Sequence, residues 1–485
     1  MREGKVSTPA NPKKNSTASG APLSRRDLAQ EIRSMLRLAL PIIIAQVAQN
    51  AMNFVDTVMA GRLGGVSLAG IALGGSVFMI IFLLALGILL SVSPMVSQAY
   101  GAGDDAMIGR ATRQGMLLAL VLYVPIWLIL QNANLFLTRM GQDPDVVVLA
   151  AGYLKALSWG MLPILWLVVL RAMLEGLSRP LPVTIITLVG VGLNIPTNYT
   201  FMFGHFGVPR MGVIGTGWAT SLVHLAMFLM TAWYVRRHFA RYQIFAGIKR
   251  VDWAFMGELL KIGLPIGAAL GAEAGMFSMS TILMGIVGTQ EQAAHSIALQ
   301  STSVVFMVPL GLSTATAVRV GQAWGAGKPV VARRAGFIGM GLSLLFMGMC
   351  AFCFWQFPEV IIRFYLNLGD PENAPLIPIT ARFLSIAAMF QMFDGLQVSA
   401  AGALRGLKDT RATMLIALLS YWLVGISSAV LLTFVLNFGG VGLWLGLVAG
   451  LVLASVLLVM RFRYKTRHVH VMADVSVEGA PLAAS

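Results

Sequence analysis

Twelve stretches of about 20 or more mostly apolar residues follow one another along this chain, joined by short polar links. A stretch of that length crosses the roughly 30 Å hydrocarbon core of a bilayer as an α-helix. By hydropathy the runs fall near residues 34–60, 67–98, 112–131, 146–171, 181–203, 213–235, 255–286, 291–321, 333–356, 376–403, 412–436 and 441–461. The expected fold is therefore an all-α membrane protein of about twelve spans. Composition agrees. Apolar residues make up 57% of the chain and charged residues 11%, against roughly 25% charged in an ordinary soluble protein. Pro41, Pro94, Pro125, Pro163, Pro196, Pro265 and Pro309 lie within or near the starts of runs, where each removes a backbone hydrogen bond and can kink its helix.

The net charge of +15 invites a nucleic-acid reading, but its distribution excludes one. Counted with the nearest run end, 29 of the 35 Lys and Arg residues fall on one side when the links are taken alternately. That asymmetry sets membrane topology and places both termini in the cytosol. Residues 1–33 read as a disordered basic tail and residues 462–485 as a second cytosolic tail. Cys350 and Cys353 form a C-x-x-C inside an apolar run. Zinc needs four ligands and a redox pair needs polar access, so both read as packing or lipid-facing residues.

The chain also repeats itself. A shift of 224 residues aligns Leu40–Met116 with the second half without a gap. LPI at 40–42 meets LPI at 264–266, and SQAYGAG at 97–103 meets GQAWGAG at 321–327. Gly61, Gly64, Ala69 and Gly87 meet Gly285, Gly288, Ala293 and Gly311. Farther on, LEGLSRP (174–180) matches LRGLKDT (404–410) at a slightly different offset. Two six-helix units starting on the same side are parallel repeats about an axis along the membrane normal. This divides the chain into a lobe at 34–236, a cytosolic linker at 237–254 and a second lobe at 255–461. Gly442, Gly446 and Gly450 give the last run a small-residue face for close helix packing.

Of the 20 acidic residues, three sit inside apolar runs: Asp56, Glu273 and Asp394. A carboxylate at membrane depth costs several kcal/mol and marks a functional site by default. Asp56 closes a polar stripe of Gln46, Gln49, Asn50 and Asn53, spaced by three and four residues on one face of the first run. Asn194 and Asn198, one turn apart in the fifth run, offer a matching face. Glu273 has no Lys or Arg near it in its own run. Neither does Asp394, which has Gln391 and Gln397 three residues to either side. Such acids favour taking up a proton or a cation. The shift of 224 sets Ser280 opposite Asp56 and Gln49 opposite Glu273, so the acids are not part of the duplicated scaffold. His295, near the start of the eighth run, reads as a boundary residue. No P-loop, dinucleotide fingerprint or His-rich metal motif is present, so no cofactor is expected.

With these residues in hand, the chain resembles the multidrug and toxic compound extrusion (MATE) family, in its NorM-like bacterial branch. The likeness is carried by FVDTVMAG around Asp56, the two QA(Y/W)GAG motifs, LEGLSRP, GLNIPTNYTF around Asn194 and Asn198, LPIGAALGAE ending in Glu273, and FDGLQVSAAGALRGLKDTRAT around Asp394. The resemblance implies a V-shaped, two-lobed transporter of the bacterial inner membrane, monomeric, that admits Na⁺ or H⁺ and expels cationic amphipathic drugs. It implies a cation site at Asp56, Asn194 and Asn198 in the first lobe. It implies a second at Glu273 and Asp394, holding Na⁺ if sodium is the coupling ion, with Gln49, Asn53, Phe390 and Gln391 in support. Phe390 stands where some sodium-coupled relatives carry a tyrosine. A phenyl face still attracts a cation, but the hydroxyl is missing. Two rivals differ in cargo or class. A flippase for lipid-linked sugars needs cationic residues to hold phosphate, whereas the inner runs here hold acids. A membrane-embedded enzyme needs a nucleophile–base pair or metal ligands within the spans.

Overall fold

The computed structural model describes residues 25–139, 141–205, 207–246 and 251–467. It holds twelve helices long and apolar enough to cross a membrane: α1 (Arg25–Gly61), then α2 (Gly65–Ala102), α3 (Asp105–Gln131), α4 (Pro144–Gly176), α5 (Leu181–Phe203), α6 (Val213–His238), α7 (Trp253–Val287), α8 (Thr289–Gly325), α9 (Pro329–Gln356), α10 (Leu376–Gly406), α11 (Thr410–Val435) and α12 (Gly439–Arg467). Most of residues 1–33 lie outside the described residues. Residues 25–33, expected as part of a disordered tail, are the first turns of α1, because Glu31 has a partner there: Arg319 on α8 grips it through two nitrogens at 2.7–3.0 Å. Likewise α12 runs six residues past the end expected at 461, with Arg461 paired to Asp409 at 2.8 Å.

Local sequence explains the breaks. Pro94 has no N–H to give to the Leu90 carbonyl. The ladder of α2 parts at Leu90–Ser91, and the Ser93 N–H takes that carbonyl instead at 3.2 Å. Asp104, Asp143 and Asp252 cap α3, α4 and α7 by accepting from the first backbone N–H groups. Within α11, residues 419–426 and 431–435 wind as π-helix.

The two halves meet in a reciprocal way. Met35, Leu38 and Ile42 of α1 pack into an apolar cluster with Leu312, Val318 and Phe462 of the second half. Phe255, Met256 and Leu259 of α7 pack with Val92, Ile108 and Leu118 of the first. One aligned glycine pair, Gly87 and Gly311, sits where these helices cross. A Cβ added to Gly87 on α2 would fall 2.2 Å from Gly267 Cα on α7, and one added to Gly311 on α8 would fall 2.4 Å from Ile43 on α1. Backbones this close admit no side chain. The glycine face of α12 works similarly, since a Cβ on Gly446 would lie 2.2 Å from Ala429 N on α11.

At the Lys- and Arg-rich end the halves touch through the repeated QA(Y/W)GAG segments. A Cβ on Gly101 would fall 2.0 Å from the Gln322 carbonyl oxygen, and one on Gly325 would fall 2.0 Å from that of Gln98. Gln98 Nε2 donates to Gly406 O at 2.7 Å, while Gln322 Nε2 donates to Gly176 O at 2.8 Å and to Ser178 Oγ at 2.9 Å. The two bonds exchange under the repeat, because Gln98 aligns with Gln322 and Gly176 with Gly406.

Candidate functional site

The first buried acid is assembled from three helices. Asp56 lies near the end of α1 and is 8% exposed, while Asn194 and Asn198 of α5 are fully buried. Their four-residue spacing puts both amides on one face. Asn194 Nδ2 donates to Asp56 Oδ1 at 3.1 Å and Asn198 Nδ2 donates to the same oxygen at 2.5 Å. Thr220 of α6 donates to Oδ2 at 3.4 Å. Both asparagines spend their N–H on the acid. Their carbonyl oxygens are buried and have no partner among the described residues. A buried acceptor without a donor is costly, and turning either amide would bring its oxygen toward the carboxylate, a ligand type that suits a small cation.

The second acid site joins α7 and α10. Gln397 of α10 donates through Nε2 to Asp394 Oδ1 at 3.2 Å and to Glu273 Oε1 at 3.3 Å. Tyr421 of α11 donates its hydroxyl to Gln397 Oε1 at 2.8 Å. Gln391, one turn before Asp394, is buried with both amide atoms unpartnered among the described residues. Phe390 is buried edge-on to Phe277, with ring centroids 6.0 Å apart, and to Trp444 at 5.5 Å.

The structure thus places Asp56 with Asn194 and Asn198, and Glu273 with Asp394, in two separate clusters. It does not bring Gln49 or Asn53 to Asp56. Gln49 is half-buried, Asn53 is exposed, and neither hydrogen-bonds the carboxylate among the described residues. Gln49 sits seven residues away, about 10 Å along the axis, beyond side-chain reach. Sequence reasoning left out Thr220 and Tyr421 and gave Gln397 no role. No Lys or Arg was expected near Glu273 or Asp394 within its own run, and the cation that approaches Glu273 comes from another helix. Helix α10 extends to Gly406, and Arg405 in its last turn donates to Ser313 Oγ at 2.8 Å and lies within electrostatic range of Glu273. His295, expected as a boundary residue, lies in the second turn of α8. It is fully buried, with Nε2 3.4 Å from Ser280 Oγ and its ring edge-on to Trp444. Cys350 and Cys353 are free, one half-buried and one exposed on α9.

Twelve membrane-spanning helices among the described residues, in two interlocked repeats with carboxylates buried among them, define a multi-pass membrane protein. The MatE family pattern matches residues 41–200 and again 265–431, and the chain belongs to this family of multidrug efflux transporters. A "Probable multidrug resistance protein NorM" of Mesorhizobium japonicum is 40% identical over 442 residues, covering 90% of this chain and 95% of that protein. One from Deinococcus radiodurans is 41% identical over 437 residues, covering 90% and 96%. Among solved structures, the outward-facing conformation of a multidrug resistance MATE family transporter of the MOP superfamily matches with a TM-score of 0.82 at 20% identity, covering 90% of this chain and 96% of that one. The eukaryotic MATE transporter AtDTX14 matches at 0.78 and 22%, covering 91% and 99%.

Proposed function

We propose that this protein is a secondary-active antiporter of the bacterial inner membrane, with both termini in the cytosol, that exchanges external Na⁺ or H⁺ for internal cationic amphipathic drugs. One observation carries the reading: each half buries a carboxylate among its spans and binds it with neutral amides. Acids held this way exert a field on any small cation and are discharged when one arrives. The same field attracts a cationic drug, so drug and coupling ion compete, and that competition links the two fluxes. A cation entering from outside neutralises Asp56, or Glu273 and Asp394, and releases drug outward. Its loss to the cytosol restores the charge. The curated relatives, described as multidrug resistance proteins, support drugs as cargo. Buried acids at both sites disfavour a phosphate-bearing lipid-linked sugar.

The test is efflux of a fluorescent cationic drug from proteoliposomes under a sodium gradient alone and a proton gradient alone. Drug movement should follow one of them. Asp394→Asn and Glu273→Gln should each remove that response while the protein still reaches the membrane. Wild-type driven efflux in both variants would sink the proposal.

A further inference from the structure

Gln397 is the one side chain among the described residues that hydrogen-bonds both acids of the second half. Its two N–H groups are divided between carboxylates on different helices, and its carbonyl is held by the Tyr421 hydroxyl. An amide so placed stands between the acids where a cation would otherwise sit. A proton or metal ion arriving at Glu273 Oε1 or Asp394 Oδ1 competes for the oxygens that Gln397 Nε2 occupies, and a positive charge repels that N–H donor. Filling the site at those oxygens favours turning the Gln397 amide, and turning it takes the Oε1 acceptor away from the Tyr421 hydroxyl.

Tyr421 is mounted on an unusual element. Residues 419–426 are π-helical, with hydrogen bonds closing five residues back, a form seen mostly as short insertions at functional sites. Helix α11 packs on α12 both at this stretch, where a Cβ on Gly450 would fall 2.8 Å from Ser420 O, and after it. A Cβ on Gly446 would fall 2.2 Å from Ala429 N, and one on Gly442 2.7 Å from Leu432 C. The stretch itself is tied to α7, where Trp422 Nε1 donates to Ala272 O at 3.1 Å, one residue before Glu273. With its far side fixed, removing one residue's worth of winding would turn the near side by about 100°. It is in the π register that Tyr421 reaches Gln397.

We propose that Gln397 is the positioning residue that couples Glu273 to Asp394, and that Tyr421 on the π-helical stretch of α11 reads the state of that pair. The inference rests on the antiport reading. Cation arrival turns Gln397, frees Tyr421 and lets residues 419–426 rewind. The acid pair is thereby linked to the movement of a whole helix instead of to local charge alone.

The test uses the full-length transporter in proteoliposomes, with ethidium as the cationic probe and whichever gradient drives the wild type. The readout is the ratio of efflux with the gradient to efflux without it, alongside the ethidium dissociation constant at no gradient. Gln397→Met keeps the volume and removes the amide, while Tyr421→Phe removes one oxygen. Gln397→Met should lower the ratio by about tenfold or more, the effect of losing hydrogen bonds to charged groups, and Tyr421→Phe, whose bond is to a neutral amide, by about two- to tenfold, with ethidium affinity in Tyr421→Phe within about twofold. In the wild type, amide hydrogen exchange at 419–426 should change when the coupling ion is added, and in Tyr421→Phe it should not. A wild-type ratio in both variants, or unaltered exchange at 419–426 in the wild type, overturns the inference. Should Gln397→Met not fold, Tyr421→Phe decides alone. If Glu273→Gln and Asp394→Asn lose the gradient response while Gln397→Met and Tyr421→Phe keep it, this inference fails and antiport stands. If all four keep it, the antiport reading itself has failed.

Discussion

Asn198 is the residue on which the first acid depends most. Its amide is the shorter of the two bonds to Asp56 Oδ1, and both groups are buried. A hydrogen bond to a charged group contributes about 1.5–3 kcal/mol. Asn198→Ala should therefore cut gradient-driven efflux about tenfold or more, and Thr220→Val should cost less, because its bond is 3.4 Å long. Rates in vesicles at matched protein levels would check the order; a larger loss in Thr220→Val than in Asn198→Ala contradicts it. The asparagines were legible in the sequence because two amides one turn apart in an apolar run have few innocent explanations. Thr220 was not. Hydroxyls in membrane helices commonly bond the carbonyl four residues back, as Thr187 and Thr231 do here, so one that reaches another helix looks no different in sequence. Phe390 was legible as a departure from a tyrosine, but its buried contact with Phe277 and Trp444 depends on three helices meeting.

Among the elements, α2 and α8 bring the halves together. The repeated glutamines make reciprocal bonds, Gln98 to Gly406 and Gln322 to Gly176, and Gln322 adds Ser178. Each ordinary hydrogen bond contributes about 0.5–1.5 kcal/mol. Gln322→Ala should therefore destabilise this closed end more than Gln98→Ala, and the double variant should depart from the sum of the two, because the segments are in contact. A cysteine reporter beside Gly406, labelled from the cytosolic side, would measure this as faster modification. Equal labelling in all three variants and the wild type contradicts a closing role. The repeat at a shift of 224 was plain in the sequence, and so was the small-residue face of Gly442, Gly446 and Gly450 on α12. What hid was that the two motifs pack on each other, because identical segments in two halves give no hint of whether they meet. The π-helical turns of α11 were equally hidden, since SYWLVGISSAV has the same apolar content whichever way it winds. Its register is decided by contacts with α7 and α12.

On the scale of the whole molecule, alternating access requires the ends joined by QAYGAG and QAWGAG to part when the cytosolic side opens. Ser97 on α2 and Gly321 on α8 face each other there, since a Cβ on Gly321 would lie 3.1 Å from Ser97 Cβ and 2.2 Å from its Oγ. A disulfide needs its two Cβ atoms about 3.5–4.5 Å apart, so a shift of a few tenths of an ångström suffices. Ser97→Cys with Gly321→Cys, in a chain whose Cys350 and Cys353 are replaced by serine, should oxidise to an intramolecular bond between the halves. The oxidised protein should bind drug supplied from outside yet stop transporting it, and a reductant should restore efflux toward the level of the unoxidised variant. The bond holds the two halves together at one end and leaves both acid clusters untouched, so loss of transport with retained binding assigns the loss to movement between halves. Continued transport in the fully oxidised protein means that the closed end seen here does not have to open. The coupling of cation to drug would then lie within a single half.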